Sequence, residues 1–382
     1  MFSAILAHGG GRETWLNNVL PHILARANAP AVDVYYVADA DTDVHGKIAV
    51  HSDRRVRFIE TRLPRGRGKL TSLVRILIFC SSVFVKLCRQ RANGHCVIAV
   101  GSFYEGAVIA LMRHFCPRRP RLIAWIRGVW SREISHRHGP AARYLIGRME
   151  AVFLRSADKV ISNGTDTKVH YEKWLGRHVE AIPNAIDVAK YRNISREAFT
   201  GSRRVVSFVG RLSEEKGFRD FVRAIERFAD SGADGRMVFD IVGDGPLKHL
   251  AESCSERHPG LVNFIGPVRN EEMLDYLETI DAGVCLTYSG QSGGGGVSNA
   301  LLELIAARRL VVAWDSEIFR QVLDESQALF VDESDVEQLC AAFVRIRDDT
   351  AQLVQRVANS RLSLARYGLD QHVEHFLNYI RQ

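Results

Sequence analysis

Arg211 and Lys216 are the residues whose types and spacing most directly suggest chemistry. They lie in VVSFVGRLSEEKG, residues 205–217, between an apolar run and a helical one. Arg offers a planar fork to two oxygens and Lys a mobile point charge, a combination suited to a phosphate or diphosphate. Glu214 and Glu215 sit between the two cations, so a solvated surface loop is the plainer reading of this stretch by itself. The run VVSFVG is β-branched and aromatic, as in a buried strand, and ends at Gly210. After Gly217, the residues Phe218, Phe221, Val222, Ile225 and Phe228 recur at helical spacing. A strand, loop and helix in that order put both cations beyond the carboxyl end of a strand, where open parallel sheets bind ligands.

Three further stretches carry chemical residues. The turn HGGGRE holds Gly10 and Gly11 between a first strand, FSAILA, and a helix with Trp15, Leu16, Val19 and Leu20 on one side. Such a turn exposes backbone N–H groups at a positive helix end, although a plain tight turn has the same composition. It is not GxGxxG, and no acidic residue ends a clean second strand about twenty positions on, so a dinucleotide fold is not expected. The acidic DADTD, residues 39–43, could hold a divalent metal with a diphosphate, but short acidic loops are common and no metal is expected. Glu303 is the sole carboxylate in ALLELIAA, where burial without a partner would be costly. A cap or an ion pair with Arg308 is the structural alternative.

The elements that must position these residues follow from hydrophobic patterning. A chain of 382 residues favours two domains. Strands are expected at 32–38, 95–102, 121–128, 156–164 and 178–187, and again at 237–245, 261–266, 282–287 and 310–315, with helices between them. Strand and helix in alternation imply parallel sheets covered on both faces. The junction is expected near residues 185–200. Charge divides the chain the same way. Residues 1–200 hold 31 Lys/Arg against 16 Asp/Glu, residues 201–382 hold 20 against 28, and the net is +7.

The densest basic stretch is 54–91, with eleven Lys/Arg around a helix whose apolar core, ILIFCSSVFV, is too short to span a bilayer. An anionic membrane surface suits it, and no nucleic-acid motif accompanies it. A buried helix with solvated basic flanks is the alternative. Seven cysteines without CxxC spacing read as reduced thiols. The start MFSAILAHGGGRE lacks the n- and h-regions of a signal peptide, so a cytoplasmic protein, peripheral at the inner face of the membrane, is expected. The glycosylation patterns at Asn163 and Asn193 carry no weight in that setting.

Several motifs in order resemble one family, from about Gly9 to Asp349. IPNAID (182–187) is similar to the hinge motif IPNGVD, and VGRLSEEKG to VGRLxxxKG. IVGDGP (241–246), FIGPVRNEEMLDYLETIDAGVCLT (264–287) and GGVSNALLELIAA (295–307) are similar to the segments that follow. The chain resembles glycosyltransferase family 4, retaining enzymes of the two-domain GT-B type. The resemblance implies an α/β protein of two doubly wound, Rossmann-like domains facing across a cleft. Residues 1–187 would bind acceptor and face the membrane, 188–365 would bind the donor, and 366–382 would form a helix packing back on the first domain.

The resemblance also implies roles. Arg211 and Lys216 would hold the donor diphosphate and, with Arg127, act in catalysis. Gly210, Gly243 and Gly245 would shape the donor loops. Gly295, Gly296, Val297, Ser298 and Asn299 would line the donor at a helix N-terminus, Glu303 would accept the ribose hydroxyls, and Gly10 and Gly11 would approach across the cleft. Asn184 would lie between the domains. The co-substrate would be a nucleotide sugar, with neither cofactor nor metal, and the acceptor a glycan or lipid-linked saccharide. Gly295 departs from the pattern, since the family usually has a second Glu there, and Arg127-Gly128 replaces the common His-Gly. The expected function is therefore sugar transfer in cell-surface polysaccharide synthesis. A pseudoenzyme that binds nucleotide or glycan, and a nucleotide-sugar epimerase of the same fold, are the alternatives.

Overall fold

The computed structural model describes residues 2–6, 11–26, 28–38, 53–62, 69–89, 96–100, 103–116, 119–129, 140–232, 235–289 and 295–382. The chain forms two compact units, Met1–Pro183 with Leu369–Gln382, and Asn184–Gly368. Each is built on one parallel sheet, as the strand–helix alternation requires. Gly10, the acidic stretch 39–43 and residues 63–68 and 90–91 of the basic segment lie outside the described residues.

Unit 1 carries strands β1 (Phe2–Leu6), β2 (Val32–Ala38), β3 (Val56–Arg62), β4 (Cys96–Val100), β5 (Arg121–Ile126), β6 (Lys159–Ser162) and β7 (Glu180–Ala181). Their order in the sheet is β3-β2-β1-β4-β5-β6-β7, and every pairing is parallel. Central strands of such a sheet are covered on both sides and read as unbroken apolar runs. β4, CVIAV, is buried at every position. The helices are α1 (Gly11–Leu24), α2 (Lys69–Arg89), α3 (Phe103–Met112), α4 (Pro140–Ser156) and α5 (Thr165–Leu175). Chain order reverses direction at β1, so right-handed crossovers put α1 on one face and α2 to α5 on the other. α2 packs on α3, and α3 on α4.

Unit 2 carries β8 (Arg204–Val209), β9 (Met237–Val242), β10 (Val262–Gly266), β11 (Ala282–Cys285), β12 (Leu310–Trp314) and β13 (Leu329–Val331), in the order β10-β9-β8-β11-β12-β13. Its helices are α6 (Phe218–Asp230), α7 (Lys248–Arg257), α8 (Met273–Thr279), α9 (Asn299–Ala306), α10 (Glu317–Arg320), α11 (Val336–Asp348) and α12 (Ala351–Ser360). The apolar stripe of α6 is buried as its spacing requires, with Phe218, Phe221, Ile225 and Phe228 fully enclosed. Phe221 meets Phe208, Phe239 and Phe343 at centroid distances of 5.6, 6.1 and 6.0 Å. Each enclosed Phe contributes about 1.5–3 kcal/mol relative to exposure.

The final helix, α13 (Leu369–Arg381), belongs to unit 1 and packs on α1. His372 is the polar centre of that seam. Its Nε2 accepts from Trp15 Nε1–H at 2.9 Å, and Nδ1–H donates to the Pro183 carbonyl at 2.8 Å. Both bonds suit a neutral ring, and burial holds its pKa down at about 3. Trp125 packs edge-on to Trp15 at 4.5 Å and stacks on Phe376 at 5.3 Å. The last carbonyls of α13 are met by cations from the sheet, Arg121 at Ile380 and Lys159 at Tyr379, which also complements the helix dipole. The units divide at Pro183/Asn184 and Gly368/Leu369, slightly off the expected 187/188 and 365/366. The reason is local pairing: Ile186 bridges Gly368, and its amide donates to Tyr367, all within unit 2.

Candidate functional site

In unit 2, the loops that follow β8, β9 and β11 approach one another at bare backbone. The Gly210 amide donates to Val242, and Leu212 donates to Asp244, both at 3.0 Å. Gly243 has a φ of +136°, and a Cβ there would lie 1.8 Å from the Gly210 carbonyl oxygen. A Cβ on Gly245 would come within 2.4 Å of the Leu212 oxygen, and one on Gly217 (φ +67°) within 2.4 Å of the Leu286 oxygen. The glycines at 243, 245 and 217 are thus required for the loops to meet.

This junction carries the two cations. Leu212 is buried and anchors the loop, while Arg211 beside it is exposed. Among the described residues Arg211 makes no hydrogen bond or ion pair, so its guanidinium is open to a ligand. Lys216 is half-buried, and its Nζ donates to Thr287 Oγ1 at 3.2 Å. It lies close enough to Cys285 to oppose the burial that pushes that thiol up to about 12. Gly217 then turns left-handed and α6 begins, so the positive end of a 13-residue helix faces the same loop.

The segment after β11 is held by side chains from distant parts of the unit. Tyr288 donates its hydroxyl to the buried Asp220, and its ring stacks on Trp314 at 6.3 Å. Glu333 Oε2 accepts from both the amide and the hydroxyl of Ser289, at 2.8 and 2.7 Å. At the far end Gly296 is left-handed at φ +71°, and Asn184 Nδ2 donates to the Val297 carbonyl at 2.7 Å. Ser298 caps α9 by accepting from the Leu301 amide at 3.2 Å, with Asn299 as the first helical residue. Gly295 lies just before, outside any helix or strand.

Glu303 projects from α9 with burial that raises its carboxyl above the usual range, opposed by Lys190. Its charge also adds to the burial that raises Tyr191. Among the described residues its carboxylate makes no hydrogen bond and no ion pair with Arg308, so the structural alternative for it falls away. A desolvated carboxylate of this kind favours a ligand that donates hydroxyl hydrogens to it.

The structure therefore places Gly210, Arg211, Lys216, Gly243 and Gly245 at one junction, and Asn184, Gly296, Val297, Ser298, Asn299 and Glu303 along and beside α9, all in unit 2. Arg127 belongs to unit 1. It follows β5, half-buried, and its carbonyl accepts from Asn163 Nδ2 at 3.4 Å. Gly11 opens α1 in the same unit. Thr287, Tyr288, Asp220 and Glu333 were not singled out by sequence as partners in this site. Thr287 stood at a motif position, but its bond to Lys216 crosses 71 residues, a separation that no local pattern reveals. Among the described residues no cluster of His, Cys, Asp and Glu is arranged to hold a metal.

Comparison with known proteins bears on both the fold and the site. Residues 203–349 match the family Glycosyl transferases group 1. The chain is 29% identical over 196 residues to phosphatidyl-myo-inositol mannosyltransferase of Mycolicibacterium smegmatis, which covers 50% of this chain and 49% of that protein. It is 27% identical over 354 residues to 2-deoxystreptamine N-acetyl-D-glucosaminyltransferase of Streptomyces fradiae, covering 86% and 81%. The chain thus spans about half the length of the mycobacterial relative. Among solved structures it is similar to Anabaena HepE in complex with UDP and glucose, with a TM-score of 0.75, 14% identity, and coverage of 99% and 98%. The resemblance to glycosyltransferases holds, and the fold is GT-B.

Proposed function

We propose that the chain is a retaining glycosyltransferase that moves a sugar from a nucleotide diphosphate donor to a glycan or lipid-linked saccharide. Unit 2 would take the donor, and unit 1, with Arg127, would take the acceptor at the inner face of the membrane. The observation that carries this reading is the junction of open Arg211, half-buried Lys216 and the bare loops around Gly210 and Gly243, in a unit that also holds the desolvated carboxylate of Glu303. Negative charge develops on the diphosphate as the sugar leaves. Fixed cations and backbone donors stabilise that charge more than they stabilise the ground state. The Glu303 carboxylate would accept from ribose hydroxyls, so one end of the donor is held by charge and the other by hydrogen bonds. The relatives named for mannosyl and N-acetylglucosaminyl transfer, and the solved relative with UDP and glucose, support a nucleotide-sugar donor.

Gly295 favours a second reading, a pseudoenzyme that binds nucleotide without turnover. Calorimetry with a nucleoside and its diphosphate tests the clamp. Arg211→Ala should weaken diphosphate binding by about tenfold to a hundredfold and leave the nucleoside unchanged. Glu303→Gln should weaken both ligands. Equal binding of nucleoside and diphosphate by the wild type would end the clamp reading. Diphosphate binding without turnover of any donor would favour the pseudoenzyme.

A further inference from the structure

Three neighbouring helices of unit 1 share an unusual exterior. α2, α3 and α4 form one layer on the sheet, their outward side chains include Leu77, Ile78, Leu111, Tyr144 and Leu145, and Phe115 stands on the turn that follows α3. Phe115 is 79% exposed and Tyr144 70%. Large apolar side chains exposed on neighbouring helices mark a surface that meets something. Its charge pattern is as one-sided as its hydropathy. α2 contains no acidic residue. The stretch 103–115 contains only Glu105 and α4 only Glu150, and both are turned inward, each 2% exposed. Arg89, Arg148 and Arg155 are exposed on the same helices.

Phe115 stands on a braced turn. The residue two before it, Arg113, is 1% exposed and donates to the carbonyls of Pro120 at 3.2 Å and Ser156 at 2.6 Å, while pairing with Asp158. Arg113 therefore fixes the three-residue turn Arg113–Phe115 against α4 and the start of β5, with the phenyl ring directed outward. Holding a large apolar ring in water on a rigid base costs free energy that a partner would recover.

We infer that the exterior of α2, α3 and α4 is a docking surface for an anionic lipid bilayer. Phe115, Leu77, Ile78 and Leu145 enter the interface between headgroups and acyl chains, and the arginines meet the headgroup phosphates. A second copy of the chain is a poorer occupant, because the exposed charges of α2, α3 and α4 are basic and two such helix faces repel each other. A nucleic acid would use the cations and leave the aliphatic side chains in water. None of the described helices is long and apolar enough to cross a membrane, so contact is from one side. This inference rests on the membrane-facing acceptor unit of the proposed function and supplies its surface, extending it beyond the basic segment 54–91 to α3 and α4.

Vesicle sedimentation tests it, using phosphatidylcholine alone and phosphatidylcholine with phosphatidylglycerol. Wild type should pellet with the anionic vesicles and stay in the supernatant with the neutral ones. Arg148→Gln with Arg155→Gln, and separately Phe115→Ser with Leu77→Ser, should each lower partitioning about tenfold. All four side chains lie outside the core, and an unchanged melting temperature and unchanged diphosphate binding in lipid-free buffer would show that both variants are folded. Pelleting that persists in both variants, or wild type that never pellets, would overturn the surface. A dimer seen by light scattering in wild type and lost in the variants would assign the face to a second copy and overturn it equally. Diphosphate binding absent from wild type that still pellets would defeat the transferase reading and leave the surface standing.

Discussion

The outer helices of unit 2 carry paired charges of both signs, whereas α2, α3 and α4 of unit 1 expose only basic ones among the described residues. Arg227 of α6 pairs with Glu337 of α11, Arg257 of α7 pairs with Glu226 of α6, and Lys248 pairs with Glu252 along α7. Both signs stand side by side in water there, as on any solvated exterior. On α2, α3 and α4 the two carboxylates point inward and the exposed charges are arginines. The backbones are two versions of one architecture, a parallel sheet under helices, so the contrast lies in side chains alone. The architecture is indifferent to partners, and it is the exterior and the loops that assign each unit its work. Unit 2 has a finished exterior and an open, desolvated site at its loops. On α2, α3 and α4, unit 1 exposes large apolar side chains beside arginines.

The largest expected effect separates the units by stability. Gly243→Ala adds a Cβ against the Gly210 oxygen at a φ of +136° and should cost about 3 kcal/mol or more in unit 2. Scanning calorimetry should show an early transition for unit 2, with unit 1 melting as before. A single transition that shifts as a whole would break the comparison, since the units would then not be separately cooperative.

Acid should act in the opposite sense, on unit 1. His372 is held near 3 in the folded seam against an ordinary value of 6.5, so the unfolded chain binds the extra proton. Its contribution is present above pH 6.5 and is lost progressively as pH falls toward 3. Glu180, held below its usual range by hydrogen bonds from His178 and His375 despite burial, contributes above pH 4.5 and fails only below that. Between 6.5 and 4.5 the loss therefore belongs to His372. Amide exchange in α13 should quicken over that interval in wild type, and His372→Phe should flatten the dependence.

The smallest effect is expected at the ion pairs of unit 2. Arg227→Gln removes an exposed pair with Glu337 and should cost less than about 1 kcal/mol. It should leave vesicle binding untouched, in contrast to Arg148 and Arg155. A loss of sedimentation from Arg227→Gln would mean that any surface cation serves, and the distinction between the two exteriors would collapse.

Local periodicity made much of this legible in advance. The α6 stripe of Phe218, Phe221, Ile225 and Phe228, the apolar runs of β4 and β12, and the cationic loop after β8 are all short-range patterns, set by the pleat of a strand and the turn of a helix. Glycines at 217, 243 and 245 could be read as loop residues, but not the backbone approaches that require them, because each contact joins two different loops. Glu333 with Ser289, and Trp15 with His372, lie beyond the same limit, the second pair separated by 357 residues. The cations of 54–91 were plain in the sequence. That Glu105 and Glu150 turn inward, leaving their helices without exposed acid, was not, because burial depends on packing partners that a linear pattern does not name.

The return of α13 to unit 1 bears on how the molecule is made. A chain emerging from the ribosome folds domain by domain, ordinarily with the earliest domain first. Here residues 369–382 are made after all of residues 184–368, and they cover Trp15 and Trp125. The first unit to be translated is thus the last to be finished. Throughout synthesis of unit 2 its two tryptophans wait without their lid, and a stop codon just after Gly368 would leave the later unit whole and the earlier one open.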